Sequence, residues 1–152
     1  MKPISEDEAR ALGVEAIHHE MDNGERRFRL VSSDGSSYSR TEASGASGWQ
    51  NSHYHQGVTE LYVVQKGWIA YAELSAGGEL TISLLQQGDT VTVRPYTHHN
   101  VYMSAFAVTH VVKYGDGTDK GTDKADWVPS PALDLRTKPV TESELLHKFN
   151  ST

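Results

Sequence analysis

The chain has 152 residues, of which 37% are hydrophobic and 22% charged, and its net charge is −6. This length suits one domain, and the acidic balance disfavours nucleic acid and anionic membranes as partners. The chain has no cysteine, which excludes disulfides, thiolate metal sites and cysteine nucleophiles. Because it has no run of about 18 apolar residues and no apolar stretch near its start, we expect a soluble cytoplasmic protein without membrane partners.

Charged side chains are concentrated at the two ends of the chain. Residues 1–30 and 115–152 each carry seven acidic and five basic residues, whereas the 84 residues between them carry six and four. Such a body is expected to be buried, with solvated ends. We therefore predict a single domain over 1–152 with a barrel body at about 26–114. An N-terminal helix and edge segment (1–25) and a solvated loop with a C-terminal helix (115–152) flank this body.

The predicted elements begin with a short helix near residues 6–12, because Ser5 and Glu8 form a capping box and Gly13 provides a stop. Asn23-Gly24 then suits a hairpin turn. Short segments rich in β-branched and aromatic residues follow, separated by glycine turns, and such segments at spacings of about 8–12 residues favour an antiparallel sandwich or small barrel. The predicted strands are Glu60–Gln65, Trp68–Leu74, Leu80–Leu85, Thr90–Arg94, Asn100–Met103 and Ala105–Tyr114.

The tail has a different composition. The sequence GTDK repeats in tandem over residues 117–124, which predicts a mobile loop rather than a domain repeat. Pro129 and Pro131 predict an extended stretch. A second capping box at residues 141–144 predicts a terminal helix over 142–149.

Four residues in the body form a candidate metal-binding set. His53 and His55 are two residues apart, so on a strand they project to the same face. Glu60 and His99, brought in by neighbouring strands, would complete a nitrogen and oxygen set for a divalent transition metal. The alternative interpretations are a surface histidine pair, a glutamate that satisfies the backbone, or a polar barrel pocket that has lost its metal.

Two strings in this region resemble the motifs of the cupin superfamily, over roughly residues 40–113. The first motif is similar to Gly48-x4-His53-x-His55-x4-Glu60-x6-Gly67, and the second to Gly88-Asp89 followed by Arg94-Pro95-Tyr96-Thr97-His98-His99. Tyr96 stands where the family usually has glycine. The resemblance implies an all-β, antiparallel double-stranded β-helix, or jelly-roll barrel, with short terminal helices. It also implies His53, His55, Glu60 and His99 as ligands of one divalent ion, with iron, manganese, nickel, cobalt and zinc all compatible.

Three further side chains are candidates for chemistry or substrate binding. Tyr62 should face the same cavity as Glu60, so we predict a catalytic general acid or base, with a structural wall aromatic as the alternative. Near a cation, its phenol is expected to lose its proton more easily. Arg94 and Arg40 are predicted to bind an anionic substrate group, because guanidinium groups match carboxylates and phosphates. For Arg94 a surface ion pair is the alternative.

The remaining candidates are aromatic or imidazole side chains. Trp49 is predicted either to line the cavity mouth and contact substrate or to pack at the barrel end. His110 lies within an apolar strand and is predicted to line the pocket. His98 should point away from His99 and lie outside the ligand set.

The chain is also similar to two catalytic cupin groups, the phosphoglucose isomerases and the dimethylsulfoniopropionate lyases of this superfamily. These similarities imply a metalloenzyme that acts on a small polar substrate (a sugar, sugar phosphate or carboxylate) by metal-assisted proton transfer, as an isomerase or lyase does. The alternatives are a non-catalytic small-molecule-binding or sensory cupin, or a non-haem metal dioxygenase. A homodimer formed through an outer sheet face is expected.

Overall fold

A computed structural model describes residues 1–115 and 126–150 of the chain, so the tandem repeat at 117–124 lies outside the described residues. Twelve strands and three helices occupy the described part. None of these helices is long and apolar enough to cross a membrane. The elements are α1 Glu6–Ala11, β1 Val14–Glu20, β2 Arg26–Ser32, β3 Ser37–Glu42, β4 Gly48–Trp49, β5 His53–Tyr54, β6 Val58–Lys66, β7 Trp68–Leu74, β8 Leu80–Gln86, β9 Thr90–Val93, β10 His98–Met103, β11 Val108–Gly115, β12 Val128–Pro129, α2 Pro131–Thr137 and α3 Glu142–Asn150.

The strands form two antiparallel sheets. The first sheet has the order β1-β2-β3-β11-β6-β9, and the second has the order β12-β5-β10-β7-β8, with β4 also paired to β10. Strands distant in sequence are neighbours in both sheets, as β3 and β11 are in the first and β5 and β10 in the second. This arrangement is a jelly roll, and it confirms the predicted all-β antiparallel class with short helices near both ends.

The barrel interior follows from alternation along β6. Val58, Glu60, Tyr62 and Val64 are buried, and the residues between them are partly exposed. Side chains two apart on a strand share a face, so this one strand brings the Tyr62 ring and the buried Glu60 carboxylate to the interior. An apolar cluster that includes Tyr62, Val64 and Ile69 fills part of the barrel beside the polar group.

Two turns depend on left-handed backbone. Gly67 joins β6 to β7 with φ 74°, and a Cβ there would lie 2.9 Å from Ser104 Oγ and 3.1 Å from the Ala107 Cα. Tyr96 has φ 62°, at the position where the cupin motif usually has glycine. The backbone therefore keeps the glycine-like conformation at Tyr96 although the side chain differs.

The C-terminal segment covers the edge of the second sheet. Strand β12 pairs with β5, and helices α2 and α3 bury Leu133 and Leu145. The terminal helix is found close to its predicted bounds. The predicted extended stretch is found at Val128–Pro129, which forms β12, but it does not continue through Pro131. Pro131 is the first residue of α2, a position where its fixed φ and missing N–H are well tolerated.

Candidate metal centre

Three histidines and one glutamate from different strands meet inside the barrel. His53 lies on β5, with His55 directly after it, and Glu60 lies on β6. His99 lies on β10, opposite His53 in the strand register. The exposed fraction of His53 is 8%, and that of the other three residues is at most 2%. From Glu60 Oε1, the distances to the Nε2 atoms of His55, His99 and His53 are 2.7, 3.0 and 3.9 Å.

Backbone carbonyls fix the orientation of all three imidazoles. Their Nδ1 atoms donate to the carbonyl oxygens of Asn51 (2.8 Å), Asp126 and Thr97 (2.9 Å), for His53, His55 and His99 respectively. A carbonyl oxygen only accepts, so each Nδ1 carries the proton and each neutral ring keeps its lone pair on Nε2. The three lone pairs are therefore available on the side that faces Glu60, the arrangement that metal-ligating histidines adopt.

The atoms that face one another are all acceptors. Within the described residues, His55 Nε2, Glu60 Oε1 and His99 Nε2 are buried and have no hydrogen-bond partner. One potential ligand atom from each of the four residues lies within 4.8 Å of the others. Ligands about 2.1 Å from one cation stand roughly 3 Å apart at right angles, which agrees with the shorter distances to Glu60. The donor set fits a single divalent metal ion, which would satisfy all of these orphaned atoms.

The electrostatic environment favours the ligand forms of these groups. Burial lowers the pKa of His53 to about 3, helped by the neighbouring His99, so its imidazole is neutral at pH 7. Burial of Glu60 raises its pKa, but the net pKa lies well below its usual range, and the nearby Lys113 ammonium contributes to this lowering. A neutral imidazole and an ionised carboxylate are the forms that bind a cation.

A cavity of about 220 Å³ opens beside the four residues. Its wall carries two cationic side chains, several hydroxyl and amide groups, two aromatic rings and an apolar side. The lining residues are Met21, Arg27, Ser39, Thr41, Gln50, Asn51, His53, Glu60, Tyr62, Val101, Met103, Thr109, Val111, Lys113 and Trp127. A small polar molecule therefore has both space and hydrogen-bonding partners next to the metal-binding atoms.

No protein-family model and no curated protein matches this sequence. Solved structures match its fold. Oxalate decarboxylase from Bacillus subtilis at pH 4.6 has a TM-score of 0.61 and 11% identity, covering 86% of this chain and 36% of that chain. A second structure of that enzyme, from work on its Mn(II) centres, has a TM-score of 0.60 and 11% identity over the same shares. Drosophila melanogaster CENP-C bound to CAL1 has a TM-score of 0.51 and 17% identity, covering 66% of this chain and 81% of that chain.

The chain has the cupin fold. The resemblance predicted from the two motifs is thereby confirmed for the fold. The chain spans about 36% of the length of the oxalate decarboxylase chains that it matches. The CENP-C structure also shows the fold in a complex with another protein, so the fold by itself does not separate catalysis from binding.

Tyr62 lines the cavity, as its spacing from Glu60 predicts. Its hydroxyl donates to Glu60 Oε2 at 3.3 Å. Burial raises the pKa of Tyr62 well above its usual value, and the Glu60 charge adds to this effect. In these metal-free surroundings the phenol keeps its proton, and its easier loss near a bound cation stays a prediction.

Two of the predicted substrate-binding residues lie on the outer face of the first sheet. Ser39 and Thr41 line the cavity, so Arg40 between them points outward, where it pairs with Glu42 and Gln65 at 3.0 Å each. His110 lies opposite Arg40 in the β3–β11 register and contacts Tyr38 and Gln65. The alternation of β3 and β11 therefore keeps both side chains out of the cavity.

The other candidates also lie away from the cavity. Trp49 donates from Nε1 to the Val140 carbonyl at 2.9 Å and packs at the barrel end, the alternative interpretation of this residue. Arg94 is exposed and is not among the residues that line the cavity. His98 points away from the metal group, as predicted, and its Nδ1 lies 2.7 Å from Ser130 Oγ.

Sequence analysis missed four residues that shape the site. Lys113 and Arg27 bring positive charge to the cavity wall, Asp126 orients His55, and the Trp127 ring stacks on His53 at 5.3 Å. Alternation along the predicted strand Ala105–Tyr114 would have indicated Lys113, because Thr109 and Val111 share its face. No local pattern points to Asp126, which reaches the site from 71 residues away.

Proposed function

We propose that this cupin binds one divalent transition metal through His53, His55, His99 and Glu60 and uses it in a proton-transfer reaction on a small polar substrate. The reaction class is isomerase- or lyase-like. One observation carries the proposal, namely that buried and unpartnered acceptor atoms converge on one point beside a polar cavity. A structural core histidine has no need of this convergence, because hydrogen bonds would satisfy its second nitrogen.

A metal bound here would act as a Lewis acid that polarises a substrate oxygen and so makes an adjacent C–H or O–H proton easier to remove. The side chains around it have separate tasks. The three backbone carbonyls hold the imidazoles in place, which limits rearrangement during turnover. Glu60 Oε2 can accept the proton removed from the substrate, while Tyr62 delivers its own hydroxyl proton to the substrate and regains one from Glu60 Oε2, which its hydroxyl contacts. Thr41 and Thr109 are buried hydroxyls in the cavity wall that can orient substrate oxygens.

The structural matches support the metal part of this proposal. One of the oxalate decarboxylase structures comes from a study of Mn(II) centres, so the same fold holds a divalent metal in that enzyme. The chemistry of that enzyme is not carried over, since the identity is 11% and this chain spans 36% of its length.

Metal stoichiometry tests the centre with a closely matched control. His98 and His99 are neighbours on β10, but His99 faces the metal group and His98 contacts Ser130. Protein purified without a metal-affinity step is stripped with chelator and reloaded separately with Mn, Fe, Co, Ni or Zn. We expect one ion per chain in the wild type and in His98→Ala, and less than a tenth of that in His99→Ala. Equal loading of the two variants would refute the proposed ligand set.

Hydrogen exchange in D2O tests the proton-transfer reaction without knowledge of the substrate. Small sugars, hydroxy acids and keto acids are incubated with metal-loaded protein, and loss of C–H signals is followed by proton NMR. We expect exchange with the wild type and a loss of about 100-fold or more in Tyr62→Phe, which removes the proton donor but no metal ligand. Binding without exchange by any substrate would instead identify a non-catalytic binding cupin, and oxygen consumption would identify a dioxygenase.

We also propose that a second copy of the chain packs on the outer face of the first sheet. Leu30, Tyr38 and Val112 form a row across three adjacent strands and are 48%, 39% and 38% exposed. Tyr114 and Phe28, at 50% and 38%, lie on the same face. Light scattering after size exclusion is expected to give twice the chain mass, and Leu30→Lys is expected to give a monomer with unchanged metal content. A monomeric wild type at micromolar concentration contradicts this assembly.

A further inference from the structure

We infer that the cavity selects a small hydroxylated anion, with Lys113 and Arg27 receiving its negatively charged oxygens while the metal faces its uncharged end. This inference rests on the proposed metal site and adds the chemical class of the substrate. The anionic group is a carboxylate or a phosphate, which share the geometry of closely spaced charged oxygens.

Lys113 is placed beside the metal group by the alternation of β11. It pairs with Glu60 in the β6–β11 register, and its Nζ lies 4.0 Å from Glu60 Oε2. Its side chain is only 17% exposed. A largely buried ammonium is costly unless an anion compensates it, and this single contact lies at the limit of an ion pair. When Glu60 also neutralises a metal ion, Lys113 is left with little compensation.

Arg27 reaches the same cavity from β2 and is held by a buried carboxylate. Glu25, itself 4% exposed, accepts from Arg27 Nε at 2.7 Å and also from Gln50 Nε2 at 3.3 Å. Within residues 1–115 and 126–150, no side chain or carbonyl accepts from the terminal Nη groups of Arg27. Glu25 therefore fixes the guanidinium and leaves donors available, the arrangement that suits recognition of a planar or tetrahedral oxyanion.

The charges of the loaded site also require an anion. Among residues 1–115 and 126–150, the charged side chains that line the cavity are Arg27, Glu60 and Lys113, and Glu25 lies behind Arg27. With a divalent ion present, positive charge exceeds negative charge by two units in a largely buried space. An anionic substrate removes this excess, whereas a neutral sugar leaves it. The cavity volume of about 220 Å³ lies below the roughly 300–1,000 Å³ that is usual for ligand pockets, which favours a compact ligand.

Co(II)-loaded protein gives an absorption spectrum that reports ligands entering the metal site. The probes are malate for a carboxylate, glycerol 3-phosphate for a phosphate, and glycerol as the neutral reference. We expect at least one of the two anions to bind at least tenfold more tightly than glycerol. The anion that binds more tightly shows whether the preferred charged group of the ligand is a carboxylate or a phosphate.

Lys113→Met tests the role of the ammonium, and Arg40→Gln on the outer face is the matched control for loss of one positive charge. We expect Lys113→Met to weaken binding of the preferred anion by about tenfold or more, and Arg40→Gln to leave it unchanged. Lys113→Met should bind cobalt at least as tightly as the wild type, because a neighbouring positive charge is removed.

These readouts separate the two proposals. A wild type that binds none of the five divalent ions would refute the proposed function and, with it, the inference on the substrate. Normal cobalt binding without a preference for anions, or with equal anion affinity in Lys113→Met, would refute only the substrate class.

Discussion

Asp126 provides a sharp test of how the C-terminal segment supports the metal centre. Its carboxylate accepts three backbone N–H groups, from Gln56 at 2.6 Å, Gly57 at 2.8 Å and Val58 at 2.9 Å. Its carbonyl oxygen accepts from His55 Nδ1. The residue therefore closes the turn between β5 and β6, and this turn with its two flanking strands carries three of the four candidate ligands.

The expected loss in Asp126→Asn follows from these contacts. Both carboxylate oxygens are in use, with Gln56 bonded to Oδ1 and the other two residues to Oδ2. An asparagine has one acceptor oxygen, so at least one N–H loses its partner and faces an amide donor. A hydrogen bond to a charged group is worth roughly 1.5–3 kcal/mol, and the surviving bonds lose their charge assistance. We therefore expect the free energy of unfolding to fall by about 2–4 kcal/mol.

Asp134→Asn is the matched control, because Asp134 also anchors this region from the C-terminal segment. Its Oδ1 accepts from Ser52 N at 2.8 Å, while its Oδ2 contacts only Lys138, at 3.7 Å. Asparagine keeps the first bond, and a partly exposed ion pair is worth about 0–1 kcal/mol. Urea unfolding of chelator-treated protein at pH 7 should give a clearly lower free energy of unfolding for Asp126→Asn than for Asp134→Asn. A difference below about 0.5 kcal/mol between them would show that the Asp126 carboxylate has no special role.

The metal affinity of Asp126→Asn gives a second, independent readout. The loosened turn must be ordered again when the ion binds, so chelator competition should show an affinity about 10- to 100-fold lower than in the wild type. The Asp134→Asn affinity should stay within a few-fold of the wild-type value. If Asp126→Asn is destabilised but keeps the wild-type metal affinity, the turn supports the stability of the fold and the prediction for metal binding is wrong.

Three further predictions concern acid, backbone strain and metal removal. Burial raises the pKa of Asp126, but the three backbone N–H groups outweigh it and the net pKa is lowered. The stability advantage over Asp126→Asn is therefore complete above about pH 4 and should shrink as the pH falls through the lower folded-state pKa, which urea titrations at a series of pH values will show. Gly67→Ala should lower stability by roughly 1–3 kcal/mol, because its φ of 74° and the 3.1 Å approach to the Ala107 Cα both oppose a Cβ; an unchanged melting temperature would contradict this. A metal at 100 times its Kd adds about 2.7 kcal/mol, so chelation should lower Tm by roughly 5–10 °C in the wild type and leave the Tm of His99→Ala unchanged.

The sequence was most informative where the signal is local. The His53–His55 spacing and the turn at Gly67 follow from a few neighbouring residues, and composition between turn residues predicted the strand Trp68–Leu74 to the residue. The assignment of Arg40 to the substrate failed for a local reason too. The segment Ser37–Glu42 is a strand whose inward positions are 39 and 41. Since this strand was not predicted, the sequence did not indicate which of its alternating residues face the barrel interior.

The part of the site that the sequence did not reveal depends on contacts between distant segments. Arg27 becomes a cavity residue only because β2 lies beside β3 and Glu25 holds its guanidinium. Asp126 is an ordinary acidic residue in the sequence, and its role depends on the pairing of β12 with β5. Hydrophobic periodicity carries no information about such pairings, so they required the tertiary structure.

The dependence of His55 on Asp126 has a consequence for the order in which the protein matures. On a ribosome, His53, His55, Glu60 and His99 are all synthesised before the residue whose carbonyl orients the second imidazole. A nascent barrel that ends before Asp126 has the ligands but lacks that constraint and the stacked Trp127 ring. Tight binding of the proposed ion is therefore expected only after Asp126 and Trp127 have been added, so chains that terminate before residue 126 should bind it more weakly.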